Sequence, residues 1–204
     1  MIEKMRQLFL AIAVLACGSA SSQTFEETVA AAQAAVGDIA RYQEALQNPD
    51  PRFQYAMVQQ MLKNPDPALQ RIAKEHALFS TNPVMREAAI KAIFDAGTTL
   101  RLEFAGSGTS YEWFPSIISK GGGVFSQNTG QLLTAVPPAL NDACWGTRDT
   151  CAFRQVGNAV QVNYDQGNNF AFNANLVLGT DGVLRGTAKH SRGETLQMQI
   201  DLKQ

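Results

Sequence analysis

The chain has 204 residues, of which 45% are hydrophobic and 17% charged, and its formal net charge is −1. That balance, with no basic run interleaved with aromatics, argues against a nucleic-acid partner. Once a leader is removed, about 180 residues remain, enough for one large domain or two small ones.

Residues 1–22 carry the three parts of a secretory signal. Lys4 and Arg6 form a short positive start, Leu8 to Ala16 is an uncharged apolar run, and Gly18-Ser19-Ala20-Ser21-Ser22 supplies small residues for a peptidase. The apolar run falls well short of the ~18 residues that a stable membrane span requires. Val14-Leu15-Ala16-Cys17-Gly18 resembles a bacterial lipobox, which implies lipidation of Cys17 and an outer-membrane lipoprotein anchor. An ordinary cut after Ala20 or Ser22 fits the same segment, and Leu15 departs from the lipobox pattern. Either way the expected location is periplasmic or secreted, and any membrane contact runs through the N-terminal lipid.

Residues 23–98 are helical in pattern. Thr24-Phe25-Glu26-Glu27 reads as a capping box, with Glu27 placed to reach back to the start. Phe25, Val29, Ala32, Val36, Ile39 and Leu46 then form one apolar stripe at helical spacing. Asp50-Pro51, Asp66-Pro67 and Asn82-Pro83 follow, each sixteen residues from the next. Asp or Asn accepts an amide bond as N-cap, and Pro suits the first helical position because its missing N–H would be orphaned there. Equivalent positions after each cap hold Phe53, Leu69 and Met85, then Met57, Ala73 and Ala89, then Met61, Ala77 and Ile93. Gly97 closes the last helix as a C′ residue. The stretch from Asp50 to Gly97 resembles HEAT-like helical repeats, with Asn82 to Ala89 nearest their second-helix pattern. The resemblance implies a small antiparallel stack of about four helices and, by analogy, a surface for protein. The alternative is a set of helices that serves only as core.

Residues 99–204 switch to alternation. Val160, Val162 and Tyr164 alternate with polar neighbours, as do Phe170, Phe172, Ala174, Leu176 and Leu178, and again Leu196, Met198, Ile200 and Leu202. Leu100–Phe104, Tyr111–Ile118, Gly122–Ser126 and Gln131–Val136 read as further strands, the last two joined by a turn at Asn128-Thr129-Gly130. Gln166-Gly167-Asn168-Asn169, Thr180-Asp181-Gly182 and Ser191-Arg192-Gly193-Glu194 mark other turns. Seven to nine short strands are expected, forming an antiparallel β-meander curled into a barrel or half-barrel. The fold class is therefore α+β, helices first. The back half hints at a lipocalin-like or other small envelope barrel, but it carries no complete motif of any.

Chemistry-bearing residues are sparse. Cys144 and Cys151 are expected to form a disulfide in an oxidising compartment, since the spacing is wrong for a CxxC centre and no nearby His completes a zinc set. His76 falls on a helix and reads as a half-buried structural residue. His190 shares a strand face with Leu184, Gly186 and Ala188, so it could line the mouth of a concave face where the two small residues leave room. Trp113, Phe114 and Trp145 are candidate ligand or partner contacts, because aromatics near loops bury much area at little entropic cost, with a core-capping role the alternative for Trp145. No metal set, cofactor motif or catalytic residue is identified. Gly121-Gly122-Gly123 lacks the Gly-Lys-Ser/Thr order of a phosphate loop.

The expected function is a cell-envelope binding protein whose partner is an envelope or extracellular protein or a small ligand. Two alternatives stay open: a secreted hydrolase or transferase with a site near His190, and an inhibitor or immunity-type protein presenting the Cys144–Cys151 loop.

Overall fold

The computed structural model describes residues 24–106, 112–147, 150–165, 167 and 171–203. The leader with Cys17, the Tyr111 start of an expected strand, and most of the 166–169 turn lie outside the described residues. The chain divides into two compact units, one up to Ala40 and one from Arg41 onward.

In the first unit the expected capping box closes. The Thr24 amide donates to Glu27 at 2.9 Å and the Glu27 amide to the Thr24 hydroxyl at 3.3 Å, opening helix α1 (Phe25–Leu46).

In the second unit three helices follow: α2 (Pro51–Lys63), α3 (Pro67–Leu78) and α4 (Pro83–Asp95). Each starts as its sequence dictates. Asp50, Asp66 and Asn82 sit in extended backbone and accept from the amides of Arg52, Ala68 and Val84 at 2.9, 2.8 and 3.0 Å. Two residues before each cap, Asn48, Asn64 and Ser80 accept from the cap's own amide. Gln54 and Gln70 then reach back to the Asn48 and Asn64 carbonyls, both at 2.7 Å. The third helix departs from this pattern in a useful way. Arg86 stands where the other two have Gln, and its guanidinium donates to the Leu178 carbonyl and, at 3.0 Å, to that of Gly179. The bond that ties α2 and α3 to their own entry loops ties α4 to the sheet instead. Burial follows the same direction: α2 buries Val58 and Met61, whereas α4 buries Met85, Ala89, Ile90, Ile93 and Phe94. Gly97 ends α4 at φ +64°.

Among the remaining described residues, ten strands form one antiparallel sheet in the order β2-β3-β1-β10-β9-β8-β7-β6-β5-β4. They are β1 (Thr99–Ala105), β2 (Val124–Ser126), β3 (Thr129–Ala135), β4 (Ala139–Asn141), β5 (Cys144–Thr147), β6 (Thr150–Val156), β7 (Ala159–Asp165), β8 (Ala171–Leu178), β9 (Val183–His190) and β10 (Thr195–Asp201). From β4 to β10 each strand pairs with its sequence neighbour, so the meander is as expected. The sheet is open, with β2 and β4 at its edges, which makes it the half-barrel of the two expected forms. The last strand is internal, paired with β9 on one side and β1 on the other.

Three local expectations need correction. Ten strands form, not seven to nine. The stretch expected as strand Tyr111–Ile118 is instead, over its described residues, helix α5 (Trp113–Lys120). Phe114, Ile117 and Ile118 are buried at helical spacing, and Pro115 has no amide to give a strand partner. The β2–β3 turn falls at Gln127-Asn128, both at positive φ, one residue earlier than read. Gly130 belongs to β3 for a different reason: a Cβ there would stand 2.7 Å from the Phe125 ring and 2.8 Å from Ile118.

One face of the sheet is apolar and buried, and two helices cover it. At one end, Phe94 of α4 packs on Trp145 and Phe153 with ring centroids 5.0 and 5.3 Å apart. At the other end, Phe114 of α5 packs on Phe104 and Phe172 at 6.1 and 5.9 Å. Each such ring buries enough apolar area to contribute about 1.5–3 kcal/mol.

Candidate binding site

The residues singled out in the sequence fall into two groups at different places on the sheet. Trp113, Phe114 and His190 come together where α5 meets the β9–β10 hairpin. His190 has the strand face expected of it, but it is 0% exposed, and the concavity it borders with Asn173, Lys189 and Ser191 holds only about 170 Å³. Its ring stacks on Trp113 at 5.3 Å with 15° between planes, and its Nδ1 accepts from the Arg192 amide at 3.3 Å. Space beside Gly186 is taken as well, because a Cβ there would meet the Asn175 carbonyl oxygen at 1.9 Å. Phe114 is also 0% exposed and belongs to the core, while Trp113 is half-buried with the Arg192 guanidinium 4.1 Å from its ring centroid.

The residue that organises this cluster was not singled out. Glu194 follows the hairpin turn and sends its carboxylate across to α5, where it accepts from three successive backbone amides: Glu112 at 2.6 Å, Trp113 at 3.0 Å and Phe114 at 3.1 Å. Helix α5 has no side-chain cap of its own. A charged acceptor 80 residues away in sequence satisfies the donors that a helix start leaves orphaned. The arrangement is a structural clamp, with His190 and Trp113 as its packing.

Trp145, Cys144 and Cys151 form the second group. The disulfide Cys144–Cys151 joins β5 to β6. Trp145 is 0% exposed and donates from Nε1 to Asp95 at 3.0 Å, so it caps the core and pins α4 rather than facing a partner. The disulfide closes a short loop, and replacing both cysteines by Ala should lower stability by about 2.5 kcal/mol. Chemical denaturation with and without reductant reads this directly: the oxidised wild type should stand alone, and the reduced wild type should match the variant.

A surface that does offer room lies on the outer, polar face of the sheet. Strand register aligns Val124, Gln131, Glu103, Gln199 and Arg185 in one row across β2, β3, β1, β10 and β9. The next row runs Ser126, Thr129, Ala105, Gln197 and Thr187. Between them is a trough of about 490 Å³, within the range of ligand sites. At its centre the Gln199 amide donates to Glu103 at 2.7 Å. On its rim Arg185 forms a two-bond fork with Asp181 at 2.8 and 2.7 Å. That guanidinium holds the Asp181 carboxyl well below the usual carboxylate range. The trough is not legible in the sequence because each strand contributes only one to three residues, and their polar members read only as the wet half of an alternation.

His76 lies on α3 as expected, half-buried, and burial pushes its imidazole below the usual range. The unfolded chain therefore binds a proton before the folded one does, and stability falls as pH drops through and below 6.5. His76→Gln should remove that component, which urea melts at pH 7.5 and 5.5 would register as a smaller difference between the two pH values.

Among the described residues no group of three His, Cys, Asp or Glu is placed to hold a metal ion, and no helix is long and apolar enough to cross a membrane. The disulfide is compatible with a secreted or periplasmic protein. No protein-family model matches the chain, and neither a curated protein nor a solved structure does.

Proposed function

We propose that this chain is an exported envelope binding protein and that its ligand lies in the outer trough over β2, β3, β1, β10 and β9. The observation that carries this reading is the trough itself: a cavity of ligand size to which Gln131, Gln197, Gln199, Ser126 and Thr129 bring amide and hydroxyl groups. Polar rows on an outer sheet face usually meet only water. Here five strands gather them around a concavity. The inner face, where a site near His190 would have to open, is filled by α4 and α5. A hydrolase or transferase at His190 would need that packing to part. The inhibitor reading rests on the Cys144–Cys151 loop, whose Trp145 is buried and whose residues 148 and 149 lie outside the described residues.

On this reading α2 to α4 act as a short HEAT-like stack whose task is to brace the sheet through Arg86, Asp95 and the Phe94 ring. The leader adds an address. Intact mass of the protein recovered from its native membrane and soluble fractions checks it. A cut after Ala20 or Ser22 gives an unmodified chain, and a lipidated Cys17 adds acyl mass. A chain retaining residues 1–22 would overturn export.

The binding reading is tested by amide NMR of the mature protein titrated with a soluble extract of bacterial envelope. Saturable shifts centred on residues 103–105, 129–131 and 197–199 are expected. Saturable shifts confined to the inner-face cluster at His190, or none at all, would remove the trough as the site.

A further inference from the structure

We infer that the trough takes a neutral oligosaccharide lying across the strands, an inference that rests on the trough being the binding site. The argument comes from which hydrogen-bonding atoms are left to a ligand. The Gln199 amide nitrogen already donates to Glu103, so that pair offers mainly acceptors. Gln131 and Gln197 offer both donors and acceptors. The Ser126 and Thr129 hydroxyls add two groups of mixed character, with Thr129 donating to the Ser126 carbonyl at 2.9 Å.

A ligand that satisfies such a set must itself carry many groups that donate and accept, without net charge. Sugar hydroxyls are of that kind. An anion would meet the Glu103 carboxylate at the centre, and Arg185, the cation among the described residues that line the trough, is held in its fork by Asp181. A cation would engage Glu103 and leave the amides idle. Spacing points the same way. Gln131, Glu103 and Gln199 stand on adjacent strands, and strands repeat every ~4.8 Å. That interval is close to the advance of one sugar unit in an extended glycan, so each unit meets one polar head. Val124, 71% exposed on the outermost strand, supplies an apolar contact for a C–H face of the sugar.

The test is a titration of the full mature protein with chitotetraose, cellotetraose and maltotetraose, followed by amide NMR and calorimetry. At least one should give saturable shifts over the three trough segments. Gln131→Ala and Gln199→Ala should each weaken it roughly fivefold, the loss of about one hydrogen bond. Both side chains face outward, and circular dichroism verifies that the variants remain folded. If no sugar binds up to on the order of 10 mM while envelope extract still shifts the trough, the sugar inference fails and the binding reading stands. If neither shifts it, both fail. Binding of spermidine that Glu103→Gln abolishes, with no sugar bound, would reassign the trough to a cation.

Discussion

Trp145→Ala should lower the stability of the fold by about 3–5 kcal/mol, the largest effect of any single substitution argued from this structure. Two losses combine. The indole is fully buried against Phe94, so its removal leaves a cavity where α4 meets the sheet. Its Nε1 bond to Asp95 also disappears, although Asp95 keeps Lys91 at 2.7 Å and stays partly solvated. The cavity should therefore dominate, and Trp145→Phe, which refills much of it without the N–H, should cost clearly less. Urea denaturation followed by far-ultraviolet circular dichroism separates the cases. Equal losses for Ala and Phe would mean that the Asp95 bond, not the packing, holds α4 in place. A loss under 1 kcal/mol for Ala would mean that the indole is not in the core.

The second large effect belongs to Glu194. Its carboxylate is the acceptor for three amides at the start of α5, and bonds to a charged acceptor are among the stronger ones. Glu194→Ala should cost about 3 kcal/mol, which for a chain of this length lowers the melting temperature by about 6–12 °C. Glu194→Gln retains an oxygen but loses the charge that favours a helix N-terminus, so it should fall between wild type and Ala. The local signature is amide exchange. Glu112, Trp113 and Phe114 should lose protection in the Ala variant well before the strands do. Uniform loss across the sheet would instead make α5 inseparable from the core.

Much of the architecture was written locally. The Asp-Pro and Asn-Pro caps set where α2, α3 and α4 begin because a cap acts within two or three residues. The alternation of Leu196, Met198 and Ile200 with their polar neighbours set the faces of β10 because a strand's period is two. Helix α5 was misread although Trp113, Phe114, Ile117 and Ile118 recur at helical spacing. The aromatic and β-branched content of that stretch favours a strand, against which stand that spacing and Pro115. The sites were harder for a different reason. His190, Trp113 and Phe114 do meet, but whether they face ligand or core depends on α5 closing over them, and that closure is set by Glu194 from the opposite end of the domain. The trough is harder still, because its row is assembled by pairing positions 124, 131, 103, 199 and 185, whose order in space is not their order in the chain.

The place of β10 between β1 and β9 also fixes a timetable. A ribosome delivers Thr99–Ala105 long before Thr195–Asp201, yet β1 can join the meander only through the strand made last. Until those final residues emerge, β2, β3 and β1 form a three-stranded fragment with an unfilled edge, and β9 offers another. Contacts of such long sequence separation form slowly. During synthesis the chain thus carries two exposed β-edges, Leu102 and Phe104 on one and Leu184 and Ala188 on the other, waiting for the same strand. A mature chain cut back to before residue 195 should aggregate or hold a chaperone, and one that includes residues 195–203 should let it go.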